Sequence, residues 1–407
     1  MKVTGLITEY NPFHLGHSYH LSNSKQISSS DFTVCVMSGN FVQRGMPALL
    51  DKWTRTDMAL KNGIDLVLEL PTIHAISSAE FFAFGAVSTL NSLNIIDNLC
   101  FGSEAGELSL IKETARILVD EPFNFRKDLK EKLHSGLPFP KARAEALKAI
   151  LKEHNNCLSD DNLYAFLSSS NNILGIEYMK ALHRLNSNIN AYTIKREGSN
   201  YNSENLDNLY ASASAIRKSL QQNQDLSLIK PYVPDSSYEI LNTFLENKYS
   251  FASYDKYFSY IKYKIISSEN LVHNIPEAKD GLSYKIINEL KKSSNIDEFI
   301  LNVKSKRYTY SRISRILCSL FLDIDSNTLT LRNKAPNYIR VLGFNPNGAK
   351  ILKTIKKNSD IKIITKLPKI IDDPMLSLDI KATNLYSLLV SNIRLYEDYL
   401  KSPIIIK

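Results

Sequence analysis

The chain has 407 residues, of which 43% are hydrophobic and 23% are charged, as in globular proteins with a sizeable core. No apolar run has the length of a membrane span or a secretory signal, and no cysteine stands in a C-x-x-C pair, so we expect a cytoplasmic protein without structural zinc or disulfides. The net charge of +8 is concentrated in residues 301–370, which hold fifteen Lys or Arg and three Asp or Glu. That excess predicts a polyanionic partner, most commonly nucleic acid, and a solvated lysine-rich surface is the alternative.

The first 220 or so residues alternate short apolar strands with helical segments. The predicted strands are Lys2–Thr8, Phe32–Met37, Ile64–Leu70, Asn98–Phe101 and Asn190–Ile194. The predicted helices are Lys52–Asn62, Ala79–Leu93, a largely helical stretch over 107–188, and Ala213–Gln222. This alternation is typical of a parallel sheet with crossover helices.

Beyond about residue 230 the pattern becomes mainly helical, glycines become sparse, and Lys, Asn and Ile dominate. We therefore predict an α/β domain over 1–228 and a mainly helical, basic region over 229–407. A small α/β element at 338–366 is predicted within the second region, because a strand-like run there is followed by a helix and another short strand.

The first strand leads directly into His14-Leu15-Gly16-His17, where a helix begins. Gly16 allows a ligand to approach the backbone, and the helix N-terminus offers free N–H groups to a polyphosphate. His14 and His17 are three residues apart, so they can share a helical face and donate hydrogen bonds to a phosphoryl group. The alternatives are a metal-binding pair or ordinary surface histidines.

Three further clusters at strand ends or helix starts fit a nucleotide site. A glycine in Phe101–Glu104 follows the fourth strand, although a simple glycine turn is the alternative. Asparagines in Ser170–Gly175, and a cationic pair at 195–196, fit ribose and phosphates, although a helix cap and a solvated pair are the alternatives. Hydroxyls and an arginine in Ser212–Arg217 fit phosphate, although the serines alone indicate a cap.

The H-x-G-H at 14–17, paired with S-x-S-x-I-R at 212–217, resembles the nucleotidyltransferase superfamily of class I synthetase-like folds. The resemblance extends further along the chain. The segments Ile7–His17, Ser38–Gly45, Phe101–Glu104 and Lys306–Arg315 are similar to the bacterial tRNA(Met) cytidine acetate ligase family, and the match runs through essentially the whole chain.

The resemblance implies a nucleotidyltransferase-like parallel-sheet ATP domain followed by a mostly helical basic region. It implies that acetate and ATP, with Mg²⁺ on the phosphates, form acetyl-adenylate and pyrophosphate. The acetyl group then passes to the wobble cytidine of elongator tRNA(Met) to give N4-acetylcytidine. No membrane contact, stable protein partner or dedicated metal site is expected. A small-molecule adenylyltransferase and a non-catalytic RNA-binding protein with a nucleotide site are the alternatives.

By the same resemblance, His14 and His17 are the expected catalytic residues, stabilising the α-phosphate in the transition state. The expected ATP-binding residues by match are Ile7, Thr8, Glu9, Tyr10, Asn11, Pro12, Phe13, His14, Leu15, Gly16, His17, Ser18, Tyr19, His20, Gly102, one of Asn171 and Asn172, Lys195 and Arg196. The serine-rich helix start adds Ser212, Ser214 and Arg217.

Expected tRNA contacts combine cations for phosphates with tyrosines for stacking on unpaired bases. They are Arg44, Lys306, Arg307, Tyr308, Tyr310, Arg312 and Arg315. If Lys304–Arg315 is helical, Tyr308, Arg312 and Arg315 share a face. The alternative is a solvated basic helix whose tyrosines pack inward. The loop Ser38–Asp51, which holds Arg44, is expected to close over the site or meet the anticodon, unless it is an ordinary connection.

Overall fold

A computed structural model of the protein describes residues 1–137, 139–154, 159–196, 210–223 and 225–407. Cys157 lies outside the described residues. The other three cysteines are buried free thiols. Within the described ranges, no helix combines the length and apolar character that crossing a membrane requires.

The N-terminal half alternates strands and helices much as the hydrophobic pattern predicts. Its elements are β1 (Val3–Thr8), α1 (Leu15–Ser28), β2 (Phe32–Ser38), β3 (Phe41–Val42), β4 (Met46–Pro47), α2 (Lys52–Lys61), β5 (Leu66–Leu70), α3 (Thr72–Ala75), α4 (Ala79–Ser92), β6 (Asn98–Ser103), α5 (Leu108–Asp120), α6 (Phe123–His134), α7 (Phe139–His154), α8 (Asp160–Ser168), α9 (Ser170–Arg184), β7 (Asn190–Lys195) and α10 (Ala213–Asn223).

The C-terminal half is mainly helical, with three short strands near its end. Its elements are α11 (Asp235–Glu246), α12 (Tyr254–Ser267), α13 (Asn270–His273), α14 (Leu282–Leu290), α15 (Ile296–Val303), α16 (Tyr310–Phe321), α17 (Ser326–Leu329), β8 (Tyr338–Phe344), α18 (Pro346–Asn358), β9 (Lys362–Ile364), α19 (Pro374–Tyr386), α20 (Glu397–Leu400) and β10 (Ile404–Ile405). Short 3-10 turns lie at Leu226–Tyr232, Pro276–Ala278 and Thr330–Asn333.

The main sheet has the strand order β10-β8-β5-β2-β1-β6-β7, and β9 pairs with β8. Strands β5, β2, β1, β6 and β7 are parallel, whereas β8 pairs antiparallel with β5, Leu66 facing Phe344. The mostly parallel α/β fold is therefore as predicted. The element predicted at 338–366 is present, but its strands join this sheet and do not form a separate unit.

Three hydrophobic clusters surround the sheet and fill the C-terminal region. One lies between the sheet and α1, α2 and α10, and a second packs α4, α5, α9 and α18 on the opposite face. The third joins α12, α14, α15, α16 and α19 to the hairpin β3–β4. Since ligands of open parallel sheets bind outside the carboxyl ends of the strands, the residues that follow β1, β2, β6 and β7 are the natural place for a site.

Candidate active site

The loop between β1 and α1 (residues 9–14, the β1–α1 loop) lies at the carboxyl edge of the sheet. Tyr10 has a positive φ of 45°, and the Asn11–Pro12 peptide bond is cis. Tyr10, Asn11 and Phe13 are buried, and the rings of Tyr10 and Phe13 contact that of His17. The loop is therefore a packed part of the structure that presents the start of α1 to the site.

His14 and His17 cap the first turn of α1 reciprocally. The backbone N–H of Gly16 donates to His14 Nδ1 at 3.1 Å, and the backbone N–H of His14 donates to His17 Nδ1 at 3.3 Å. Both Nδ1 atoms are acceptors, so each neutral ring carries its proton on Nε2. Within the described residues, neither Nε2 has a protein hydrogen-bond partner. Two N–H donors are therefore available to a ligand.

Gly16 is required by the closeness of this cap. A Cβ at residue 16 would lie 2.9 Å from His14 Cε1 and 3.0 Å from Nδ1, well inside normal contact. The glycine thus lets the His14 ring fold over the first turn of the helix, and the two imidazole centroids lie 3.8 Å apart.

Burial and nearby arginines keep these histidines neutral. Burial first, and then the charges of Arg196 and Arg217, lower the pKa of His14 to about 3. Burial and Arg196 lower the pKa of His20 to about 4, and the pKa of His17 is also well below its usual range, chiefly through burial. The site accordingly combines neutral N–H donors with two permanent cations, an arrangement suited to a polyphosphate.

The helix start at residues 212–217 meets the β1–α1 loop through its arginine. Arg217 donates to the backbone carbonyl of Asn11 at 2.8 Å and to Ser214 Oγ at 3.1 Å. The buried Ser212 hydroxyl accepts from the amide of Ala215 at 3.0 Å, so it caps α10. Ser212 therefore follows the capping alternative, whereas Arg217 stands beside the site.

Gly102, His20 and Arg196 come together on the other side of α1. A Cβ at residue 102 would lie 3.4 Å from Arg196 Cγ and 3.9 Å from His20 Cδ2. Arg196 and Lys195 are exposed at the end of β7, and Lys195 packs against Gly106. The end of β6 and the end of β7 thus line one border of the site, as parallel neighbours should.

The two asparagines have different environments. Asn172 is 1% exposed, and its side chain accepts from the amide of Ala105 at 3.1 Å and donates to the Phe166 carbonyl at 3.1 Å. Asn171 is partly exposed, and its Nδ2 donates to Glu104 at 2.8 Å. The Asn172 amide is therefore buried and hydrogen-bonded within the protein, whereas the Asn171 side chain is partly accessible to a ligand.

The other residues expected at the ATP site lie along β1, its loop and the first turns of α1. Ile7 and Thr8 are partly buried at the end of β1, and the Thr8 hydroxyl is 2.9 Å from Cys35 Sγ. Of the remaining members, Pro12 is buried. The half-buried ones are Glu9, Leu15, Ser18 and Tyr19.

The segment 38–51 is a packed structure, and the prediction of a loop that closes over the site does not match it. Its hairpin β3–β4 is buried, and Tyr386 and Thr383 of α19 hydrogen-bond to Ala48 and Asn40. The sequence did not show this because the partners lie more than three hundred residues away along the chain. Arg44, at the partly exposed turn, remains accessible.

The predicted helix through Lys304–Arg315 is only partly correct, because α16 begins at Tyr310 and Tyr308 lies in the preceding loop. Tyr308 is buried and donates to the Asp280 carbonyl at 2.6 Å, while Tyr310 donates to Asp297 at 2.8 Å. Both phenol hydroxyls thus bond to other groups of the protein, and the burial of Tyr308 does not fit the proposed stacking of its ring on a base. Lys306 and Arg307 are exposed.

Three arginines surround one glutamate beside this loop. Arg312 donates to the Glu277 carbonyl at 2.8 Å, and Arg332 donates to the Glu277 carboxylate at 2.7 Å. Arg315, one turn from Arg312, has a buried Nε without a hydrogen-bond partner among the described residues. This arginine cluster (Arg312, Arg315, Arg332) therefore carries more positive charge than Glu277 neutralises. The positive charge of Arg332 fits the expectation that this arginine extends the basic surface, whereas its pairing with Glu277 joins distant turns and leaves no motif in the sequence.

The arginine cluster touches the turn that follows Arg44. Gly45 has a φ of +75°, and a Cβ there would lie 2.5 Å from the Arg315 backbone. The Ser314 hydroxyl also donates to the Gly45 carbonyl at 3.0 Å. The amide of Gln43, on the same turn, donates to the Glu9 carboxylate at 2.8 Å, so this turn connects α16 with the β1–α1 loop.

The described residues include no group of three or more His, Cys, Asp or Glu side chains arranged to hold a metal ion.

Comparison with known proteins gives matches over the whole chain. Residues 1–399 match the family model described as HIGH Nucleotidyl Transferase. A tRNA(Met) cytidine acetate ligase of Clostridium perfringens is 54% identical over 411 residues, covering all of both chains.

Solved structures of Thermotoga maritima TmcAL are similar over the full length of both chains. An apo form is 32% identical with a TM-score of 0.91. A form bound with alpha-thio ATP is 31% identical with a TM-score of 0.90. The fold is thus shared over its full length with a protein whose crystal holds an ATP analogue.

Proposed function

The chain belongs to the HIGH nucleotidyl transferase family and, within it, to the tRNA(Met) cytidine acetate ligases, and we propose that it acetylates the wobble cytidine of elongator tRNA(Met) in the cytoplasm. The observation that carries this proposal is the pair of neutral imidazoles at the start of α1, each with Nε2–H directed away from its backbone cap.

In the first step, a carboxylate oxygen of acetate attacks the α-phosphorus of ATP, and the bond to the β-phosphate oxygen breaks. The products are acetyl-adenylate and pyrophosphate. His14 and His17 donate hydrogen bonds to the α-phosphate oxygens as negative charge develops there. Because both rings are already neutral and fixed by their caps, no proton has to be gained or lost before they act.

Arg196 and Arg217, whose charges both act on His14, supply positive charge for the phosphates. The partly exposed Asn171 is our candidate for the asparagine that contacts ATP, because the side chain of Asn172 is already satisfied inside the protein. Mg²⁺ would arrive on the phosphate oxygens of ATP, since the described residues offer no carboxylate cage for it.

In the second step, the exocyclic amine of the cytidine attacks the acyl carbon of acetyl-adenylate, AMP leaves, and the amine loses a proton. The anticodon must then lie near the carboxyl edge of the sheet. The arginine cluster, the partly exposed Arg44 and the exposed Lys306 and Arg307 form a cationic surface that connects to this edge through the turn 43–45. We assign the phosphates of tRNA to this surface.

The deciding experiment is acetate-dependent exchange of labelled pyrophosphate into ATP, followed by transfer of labelled acetate to methionine tRNA. We expect exchange with acetate and label in N4-acetylcytidine. Exchange that requires a phosphorylated small molecule in place of acetate would indicate an adenylyltransferase. Absence of exchange with and without tRNA would contradict the ligase and favour an RNA-binding protein.

A further inference from the structure

Arg55, on the first turn of α2, is completely buried, and its guanidinium binds four backbone carbonyl groups. Nε donates to Leu50 at 3.0 Å, and Nη1 donates to Glu9 at 2.7 Å and to Ser38 at 3.0 Å. Nη2 donates to the carbonyl of Gly39. One side chain therefore joins three separate chain segments at the carboxyl edge of the sheet.

This arginine lacks the partner that a buried cation normally has. Charged side chains are rarely fully buried unless they are paired with an opposite charge. Among the described residues, no carboxylate lies within ion-pairing distance of Arg55. The four carbonyl dipoles solvate the guanidinium directly, and the carboxylates of Asp51, Glu9 and Glu69 act on its charge through space. The guanidinium therefore acts here chiefly as a multiple donor that joins these backbone segments.

The hydrogen bond from Arg55 to the Glu9 carbonyl matters most for the site, because Glu9 is the first residue of the β1–α1 loop. The loop then turns at Tyr10 and reaches His14 at the start of α1. Other bonds hold the loop from the same side: the amide of Leu49 donates to Asn11 Oδ1 at 2.9 Å, and the amide of Gln43 donates to Glu9. The segment 38–55 thus fixes the loop, and Arg55 is its one charged contact with the loop backbone among these bonds.

We propose that Arg55 is a positioning residue for adenylation, which fixes the β1–α1 loop relative to β2 so that the N–H donors of His14 and His17 meet the α-phosphate. The proposal rests on the proposed function. The planar fork of a guanidinium can reach carbonyls on three sides, whereas a lysine ammonium is a point charge that cannot span them. Geometry, and not charge alone, is therefore the property that the site needs.

The test compares R55K, which keeps the charge, with R55Q, which keeps a planar donor. The control is L60A on the same helix, whose buried side chain packs against Gly343 of β8 and forms no hydrogen bond with the loop. For each protein, the Kd for ATP is measured by calorimetry without acetate, the kcat and KM by acetate-dependent exchange, and the Tm by thermal unfolding.

For both Arg55 variants we expect kcat to fall about 100-fold and the Kd for ATP to rise about tenfold, since a displacement of about 1 Å has effects of this order. L60A should lose Tm while keeping kcat and Kd. The proposal would be overturned if R55K kept the wild-type kcat and Kd, or if L60A lost as much kcat and ATP affinity as the Arg55 variants. Failure of both Arg55 variants to fold would overturn it as well. If the wild type shows no acetate-dependent exchange, the proposed function fails, whereas the Kd for ATP still decides the role of Arg55.

Discussion

His14 accepts a hydrogen bond from the backbone of Gly16, and His17 accepts one from the backbone of His14, so backbone amides of this turn fix the tautomers of both histidines. The arrangement has the form of a capping box in which imidazole nitrogens replace the usual hydroxyl and carboxylate. The same bonds that start α1 therefore also leave both Nε2–H groups facing a ligand. Fold and chemistry are connected at these two residues.

Substitution of His14 by asparagine should separate the two roles of this residue, which are capping α1 and donating a hydrogen bond to the ligand. Asparagine is a good N-cap, and its Oδ1 can replace Nδ1 as the acceptor for Gly16 N–H. It cannot place a donor where Nε2 stands. We expect H14N to retain nearly the wild-type Tm and to lose adenylation by roughly 10²–10³-fold in kcat, as for removal of one transition-state donor. Pyrophosphate exchange measures the rate.

The matched variant is H14A, which removes the cap and the donor together. We expect it to lose the same activity and, in addition, about 1 kcal/mol of stability in urea unfolding. An H14N protein with the full exchange rate would show that Nε2–H of His14 has no part in catalysis.

The fold could largely be predicted from the sequence where the signal is local. The parallel strands, α1 and the helix start at 213 follow from hydrophobic alternation and capping residues close together in the chain. Pairing with a distant partner could not be predicted in this way. β8 joins the sheet through Phe344 opposite Leu66, and the register of such an antiparallel strand leaves no local signal.

The candidate site shows the same division between local and distant contacts. The motif at 14–17 indicated the donors, because their spacing on a helix is fixed by the backbone. The inward packing of Tyr308 depends on its bond to the distant Asp280 carbonyl. The choice between Asn171 and Asn172 depends on the bond that holds the Asn172 side chain to the Phe166 carbonyl. A tyrosine or an asparagine is compatible with both environments, so only the tertiary structure distinguishes them.

Acidification should destabilise the protein through its buried neutral histidines. The pKa of His20 falls from 6.5 to about 4 on folding, mainly through burial. Between these values the unfolded chain binds a proton that the folded chain excludes, so the free energy of unfolding decreases as the pH falls from 6.5 to 4. The slope is at most about 1.4 kcal/mol per pH unit for one histidine.

H20N isolates this contribution. We expect the free energy of unfolding of the wild type to fall more steeply than that of H20N between pH 6.5 and 4, and the two slopes to agree above pH 7. Parallel curves over the whole range would mean that His20 titrates normally in the folded protein. Urea unfolding at a series of pH values provides the measurement.

The two asparagines of α9 should respond differently to alanine. N172A removes an amide that is buried and bonded at both ends, so we expect a loss of about 1–3 kcal/mol in unfolding free energy. N171A should unfold like the wild type and raise the KM for ATP. The KM for ATP in acetate-dependent pyrophosphate exchange and the unfolding free energy in urea distinguish the two effects. A raised KM in N172A at unchanged stability would reverse our assignment.

Lys52 is completely buried, and its ammonium lies 2.8 Å from Glu69 and 2.9 Å from Asp398, which also pairs with Arg340. Because Asp398 comes from α20, this network ties the end of the chain to β5. We expect K52M to lose about 3–5 kcal/mol in unfolding free energy, since it leaves buried carboxylates without their cation. K52M/D398N should recover part of the loss. A K52M protein of wild-type stability would contradict the network's role.

The arginine cluster should contribute to tRNA binding in a way that salt reveals. Among the described residues, Arg315 stands beside Arg312 and Arg332 with Glu277 as their shared carboxylate, so its guanidinium adds positive charge that can attract an RNA phosphate. We expect R315A to weaken binding of methionine tRNA and to reduce the slope of log K against log salt by about 0.7–0.9, the change for one lost phosphate contact.

The control is R116A, which removes an exposed arginine that pairs with Glu113 on α5. Its slope should equal that of the wild type. Filter binding at several salt concentrations measures both. Equal slopes for R315A and the wild type would place the RNA phosphates elsewhere on the protein.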